Sequence, residues 1–205
     1  MNDKYRQIAQ IHSDSITTGF LSALGMPFLA TLYRAIDRCP YSFISIEKQG
    51  DDVVGFVAGT ISVNEMYRWI IVRYGLLFFF QLSPLVFRPS FLKRILETLF
   101  YAAKKKGQKK EEKKPDVASV SAELLSIAVS DRVRGKGVGS ALLKQFEGYL
   151  RKRAVSKYKV VTYSEDKISN AFYTQNEHSL ARQFVHHDNV MNEYMKEFPS
   201  QKSRK

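Results

Sequence analysis

The chain has 205 residues, 44% of them hydrophobic and 13% aromatic, and a formal net charge of +12. That length suits one core, or one core with an insertion, rather than two domains, and the composition is not that of a disordered chain. The one cysteine, Cys39, excludes an internal disulfide framework and agrees with a reducing compartment; the polar first ten residues lack the apolar centre of a signal peptide, so a cytoplasmic location is expected.

Apolar residues recur at helical spacing over residues 5–16 and 26–36, with Thr18, Gly19 and Gly25 punctuating the connection, which predicts two helices. Residues 41–47 alternate and residues 53–63 are β-rich; the turn formers at 48–52 between them predict a β-hairpin. From 64 to about 116 the pattern changes to long apolar and aromatic segments, split at Ser83-Pro84 and Pro89-Ser90, and ends in a lysine-rich loop. A helical insertion is expected there. Its most lipid-like part, residues 69–87, is interrupted by Arg73, Gln81, Ser83 and Pro84, so a membrane span is not expected, whereas adsorption to a surface is compatible. A mostly apolar strand at 121–129 leads into a basic, glycine-rich turn at 131–137 and an amphipathic helix carrying Val138, Ala141, Leu142, Phe146, Tyr149 and Leu150. A strand at 160–163, a short helix at 168–176 and a β-pair at 183–186 and 190–195 close a mixed α/β domain over residues 1–198. Residues 199–205 form a basic tail.

Eight of the twelve net charges sit in residues 104–114 and in the last five residues. The plainest reading is a solvated loop and tail. Peripheral contact with an anionic membrane or polymer is the second, and specific nucleic-acid contact the third, because no nucleic-acid-binding signature accompanies the lysines.

The segment from Glu123 through Ser140 carries the chemistry. Gly135, Gly137 and Gly139 let the backbone come close to a ligand, and the unpaired amides at the start of the following helix, at Val138, Gly139 and Ser140, point outward with the positive end of its dipole. That is a pyrophosphate cradle, to which Arg132, Arg134 and Lys136 add cations. A dinucleotide fingerprint would need glycine where Ser140 stands, and the P-loop spacing does not fit either.

With Arg134, Gly137 and Gly139 at the spacing Arg/Gln-x-x-Gly-x-Gly/Ala, between a strand and a helix, the chain resembles the GNAT superfamily of N-acetyltransferases. The resemblance implies an α/β fold with a mixed central sheet flanked by helices, here with a helical insertion between the family's strands three and four. It also implies acetyl-CoA as cosubstrate, its pyrophosphate held by the amides of the turn and its pantetheine arm paired with the backbone of Ile127, Ala128 and Val129. No metal is implied. His186, His187 and Asp188 are adjacent, and neighbouring strand residues point to opposite faces.

Acetyl transfer needs a neutral amine, a polarised carbonyl and a proton for the leaving thiolate. Glu123, the only carboxylate of its apolar strand, is the candidate base, its pKa raised by partial burial; the alternative is a strand-end glutamate facing solvent or held in a salt bridge. A strand amide near Val129 is the candidate donor to the carbonyl oxygen. Phe172-Tyr173 matches the family's Phe-Tyr pair, which makes Tyr173 the candidate proton donor, against a purely packing role, and Asn170 matches an asparagine that bonds the pantetheine arm. After the tyrosine the family usually continues x-x-x-Gly-Phe, whereas this chain has Glu177 and His178, so a different helix exit is expected. The family's first strand is expected to be short or absent.

The acceptor is expected to be a small amine, an amino sugar or its nucleotide-linked form, because the helix pair, the insertion and the C-terminal ending look similar to GNAT proteins of bacterial surface-sugar pathways. A peptide or protein amine, or a silent acyl-CoA-binding module, are the competing readings.

Overall fold

The computed structural model describes residues 3–16, 20–86, 120–186 and 189–199. In chain order these form α1 (Asp3–Ser15), a 3-10 turn (Phe20–Leu24), α2 (Met26–Arg38), β1 (Ser42–Gln49), β2 (Asp52–Thr60), α3 (Val63–Val86), β3 (Glu123–Val129), a second 3-10 turn (Asp131–Val133), α4 (Val138–Lys152), β4 (Lys157–Tyr163), α5 (Lys167–Gln175), β5 (Ser179–His186) and β6 (Asn189–Glu197). The strands make one sheet in the order β1-β2-β3-β4-β6-β5, antiparallel throughout except at β3–β4. Among the described residues no strand precedes α1, as the early helical pattern predicts. The insertion therefore leaves the sheet after β2 and returns at β3.

Two cores sandwich the sheet. On one face Ile8, Leu29, Tyr33 and Ile36 of the first two helices pack on Phe56 and Ala58, joined by Met66 and Ile70 of α3. On the other, Leu142, Phe146 and Leu150 of α4 and Tyr173 of α5 pack on Val57, Leu124, Tyr158, Val160 and Tyr194. The strand between them, β2, is buried from Val53 to Thr60. Gly59 lets α4 approach it, for a Cβ there would lie 2.3 Å from the Phe146 ring.

The hairpin, the glycine turn and α4 stand where the sequence puts them. The break expected at Ser83-Pro84 does not occur, since α3 runs through it to Val86. Proline has no N–H to give the carbonyl four residues back. The Ser83 hydroxyl donates to that same carbonyl, Phe80 O, at 2.8 Å and makes good the loss. The rest of the insertion, with Pro89-Ser90 and the lysine-rich loop, lies outside the described residues, as do His187, Asp188 and the final basic tail.

The helix exit after Tyr173 also departs from expectation, because the geometry of a glycine exit is kept without the glycine. Glu177 adopts φ 64°. His178 N–H then donates to Tyr173 O at 3.0 Å and Glu177 N–H to Thr174 O at 3.1 Å, the paired bonds of a Schellman cap. His178 turns inward, where its Nε2 lies 2.7 Å from Tyr158 Oη in the second core. A side chain at positive φ is strained, and the ion pair of Glu177 with Lys196, 3.5 Å long and largely solvated, returns little. Glu177→Gly should therefore stabilise the fold by about 1 kcal/mol and raise Tm by roughly 2–4 °C in a thermal melt; a fall would show that the carboxylate matters more than the backbone.

Candidate active site

The chain leaves β3 through Ser130, makes the 3-10 turn, and passes Arg134, Gly135, Lys136 and Gly137 into α4. Gly135 and Gly137 have φ of 76° and 80°, and a Cβ on either would meet nothing within 4 Å. The left-handed backbone rather than crowding thus calls for glycine at both positions, and the space beside them is open. Gly137 is the N-cap of α4 and makes no side-chain cap. Helix geometry leaves the N–H groups of Val138, Gly139 and Ser140 without a partner inside the helix; the first one served is Ala141, which donates to Gly137 O. Uncapped amides at the positive end of a 15-residue helix suit the start of α4 to an anion. Gly139 has another task, since a Cβ there would come within 3.3 Å of Phe172, through which α5 packs on the first turn of α4.

The cations of the turn are engaged only loosely. Arg134 pairs with Asp131 at 2.7 Å and Arg132 with Asp52 at 3.6 Å, both at the surface. Exposed pairs of this sort contribute about 0–1 kcal/mol, so a polyphosphate can displace the carboxylates.

Beside the cradle the sheet opens. β3 and β4 are in register only at Glu123–Lys159 and Leu124–Val160, after which β3 stays with β2 while β4 stays with β6 up to Tyr163. The parting begins where β3 carries one residue too many: Ala58 faces Ser126 and Gly59 faces Leu124, so Leu125 is a bulge. Its effect shows in the packing. Leu124 and Ala128, four apart, would share a face in a regular strand, yet they lie in opposite cores. Past the bulge, Ser130 N–H donates to Val54 O at 2.8 Å. By antiparallel alternation the main chain of Ala128 is then turned to Phe56, and the N–H and C=O groups of Ile127 and Val129 are turned away from β2 toward the gap. Of the three residues named from the resemblance, two thus face the opening and Ala128 does not.

The far wall of the gap is braced by Asn170. Its amide donates to Tyr163 O (2.9 Å), Ser164 O (3.3 Å) and Asp166 O (2.6 Å), and its Oδ1 accepts from Asn192 Nδ2 (2.7 Å) and Tyr194 Oη (2.9 Å). These bonds use the full capacity of the side chain. Asn170 ties the end of β4, the start of α5 and β6 together, and a bond to a pantetheine arm would have to displace one of them. Tyr173 is buried in the second core against Tyr194 and His178. Burial, helped by the Asp166 carboxylate, pushes its phenol well above the ordinary range, so it remains protonated. Such a group donates a hydrogen bond readily and releases its proton reluctantly.

Glu123 sits at the point of divergence on the face opposite α4. It is partly exposed and lies 3.7 Å from Lys159 Nζ, which lies 3.6 Å from the buried Glu193; Arg182 clasps Glu193 with two bonds of 2.9 and 3.2 Å. Glu123 thus stands in a salt bridge with Lys159. On α3, Tyr67, 55% exposed as a whole residue, reaches the same neighbourhood: desolvation, and then the charge of Glu123, hold its phenol above the usual range. Sequence reasoning singled out neither Lys159 nor Glu193 nor Arg182. Lys159 standing between the core residues Tyr158 and Val160 was the one available signal. Cys39 is buried, and among the described residues no three His, Cys, Asp or Glu side chains come together as a metal site.

Known proteins share this architecture. The profile of the acetyltransferase (GNAT) family matches residues 93–177, which include β3, the cradle, α4, β4 and α5. No curated protein matches the sequence. Among solved structures the chain is similar to the ribosomal-protein-alanine N-acetyltransferase of Brucella melitensis, with 11% identity, a TM-score of 0.57 and coverage of 97% of this chain and 96% of that one. It is similar to the ribosomal-protein-S18-alanine N-acetyltransferase of Escherichia coli, with 11% identity, a TM-score of 0.55 and coverage of 96% and 89%. The PaiA N-acetyltransferase of Thermoplasma acidophilum, solved in complex with coenzyme A, has 11% identity, a TM-score of 0.53 and coverage of 96% and 94%. At these identities the likeness is one of fold, and the fold is that of the GNAT acyl-CoA N-acyltransferases.

The cradle makes a sharp prediction for Gly137→Val. A Cβ at this position meets nothing within 4 Å in the free protein. Folding should lose only about 1–2 kcal/mol to backbone strain. Affinity for coenzyme A, measured by calorimetry, should fall at least about tenfold through crowding of the amides; full affinity in the folded variant would contradict the placement.

Proposed function

We propose that the chain is an acetyl-CoA-dependent N-acetyltransferase of the GNAT family, transferring the acetyl group to a primary amine in a ternary complex. The observation that carries this reading is the coincidence, at one end of the sheet, of an uncapped glycine-rich helix start with a gap between parallel strands. A diphosphate and an extended amide-bearing arm are the two parts of coenzyme A, and the two features match them in that order.

Acetyl-CoA would supply an activated thioester; the chain's residues would do the rest. The amides of residues 137–140, with Arg134 and Lys136 nearby, hold the diphosphate. The main-chain groups of Ile127 and Val129 pair with the arm as a missing strand would, and an N–H at this edge is placed to donate to the carbonyl oxygen as it gains charge. Glu123, 3.7 Å from Lys159 Nζ, takes a proton from the incoming ammonium directly or through one water. Tyr173 stays neutral and donates a hydrogen bond toward the departing sulfur. Asn170 acts by fixing the wall against which the arm lies.

For the acceptor we propose an amino sugar or its nucleotide-linked form. The polar face bearing Glu123, Lys159, Glu193 and Arg182 supports this, with Tyr67 beside it to stack on a ring. A peptide or protein amine is the second reading, since two of the proteins of similar fold act on a ribosomal-protein alanine.

Release of free thiol from acetyl-CoA against a panel of amino sugars, peptides and polyamines tests both levels of the proposal. Turnover with an amine supports the enzyme, the preferred amine fixes its class, and thiol release with none of them would leave a silent binding module. Glu123→Gln should lower kcat about a hundredfold or more while leaving coenzyme A affinity unchanged. An unchanged kcat and pH–rate profile would remove Glu123 as the base.

A further inference from the structure

A second surface, on the outer side of the helices, has the composition of a ligand site and no part in the reading above. α2 and α3 pack together, Phe28 against Phe78 and Thr31 against Gln81, and beside that contact they leave a groove of about 570 Å³. Arg34 and Arg38 line it from α2, and Trp69, Arg73, Tyr74 and Leu77 from α3. Arg34 and Arg38 are one turn apart, a spacing at which like charges repel. Among the described residues no carboxylate lies within ion-pair distance of any of the three arginines. Asp37, the nearest in sequence, is taken by Lys4 Nζ at 2.8 Å and Tyr5 Oη at 2.7 Å, and Arg73 rests on the Trp69 ring at 5.5 Å.

The same helix continues the groove as an apolar stripe. Trp69, Arg73, Leu76 and Phe80 follow the spacing of one helical face, with Val72 and Phe79 beside them. Val72 is 82% exposed, Leu76 74%, Phe79 66% and Phe80 65%. Large apolar residues exposed in a continuous row among the described residues, next to a cluster of cations, mark an interaction surface. No helix among the described residues is long and apolar enough to cross a membrane, so this face can lie on a bilayer but not pass through it.

We propose that the α2–α3 face docks on an anionic lipid surface, with headgroup phosphates in the arginine groove and the row Val72, Leu76, Phe79 and Phe80 at the acyl boundary. The charge pattern selects this occupant. A second copy meeting the face about a two-fold axis through the row would cover the apolar residues without supplying the anions that Arg34, Arg38 and Arg73 call for. A lipid surface meets both halves in the right order, phosphate at the groove and hydrocarbon at the stripe, and adds its attraction for a chain of net charge +12.

The test is co-sedimentation of the full chain with phosphatidylcholine vesicles, with and without phosphatidylglycerol. Binding should require phosphatidylglycerol. The double substitution Leu76→Asp and Phe80→Asp should lower the partition coefficient at least about tenfold, and Arg34→Ser with Arg38→Ser should lower it and flatten its salt dependence, with melting temperature and coenzyme A affinity unchanged in both. The same pairs are tested in a chain whose lysines at 104–114 are replaced by serine, which separates this face from the basic loop. Four results would each overturn the proposal: no binding to anionic vesicles; binding lost with the loop lysines but indifferent to both substituted pairs; self-association of the free chain abolished by the same substitutions; or competition by millimolar inorganic phosphate that removes binding completely, which would mark a site for a soluble anion.

Discussion

One extra residue in one strand, Leu125, sets the geometry from which the rest of the site follows. Below it β3 and β4 are parallel neighbours; above it each keeps only its other partner. A paired β3–β4 would consume the polar groups of Ile127 and Val129 and close the sheet. The bulge shifts the register by one, moves Ala128 to the opposite core from Leu124, and leaves one edge of β3 bare inside a folded protein. Unpaired main-chain groups in such a place are costly. Their retention is what an extended, amide-rich ligand would offset.

The two sides of the opening are made rigid by different means. β3 is clamped through β2, a strand buried on both faces, and Gly59 at the register shift lets Phe146 of α4 lie directly on it. β4 is held by β6 and by the five bonds of Asn170, which fasten the strand end to α5. The helix starts, the strand ends and the glycine turn all meet at this edge, so the start of α4 and the gap are fixed relative to each other before any ligand arrives. Pre-organisation of this kind is how a site avoids paying for order at the moment of binding. The face beneath, with Glu123 at one end of a chain of alternating charges, is fixed in the same way by strand register.

Much of this was legible in the sequence because it depends on local chemistry. Gly135 and Gly137 announce positive φ, the spacing of Leu142, Phe146 and Leu150 announces α4, and the turn formers at 48–52 announce the hairpin. The bulge was not legible: β3 is apolar at nearly every position, so it lacks the alternation whose interruption would have revealed an extra residue. Ser83-Pro84 and Glu177 misled for a related reason. Each breaks a local rule and is rescued by a contact, the Ser83 hydroxyl in one case and the Schellman bonds with the inward turn of His178 in the other. The partners of Glu123 were out of reach because Lys159, Glu193 and Arg182 come from three strands whose order no periodicity encodes. His12 belongs here too, an apparently ordinary helix residue that proves to be buried, its Nδ1 2.6 Å from Tyr33 Oη, with burial pushing its imidazole down to about 4.

The central claim is that bare main-chain groups of β3 and the start of α4 together hold one extended diphosphate ligand. Amide hydrogen exchange, followed residue by residue with and without coenzyme A, addresses it directly. The account predicts slowed exchange at Ile127 and Val129 and at residues 137–140 together, with Ala128 already protected in the free protein. Coenzyme A binding that leaves those amides unchanged, or that protects the helix start alone, would contradict it.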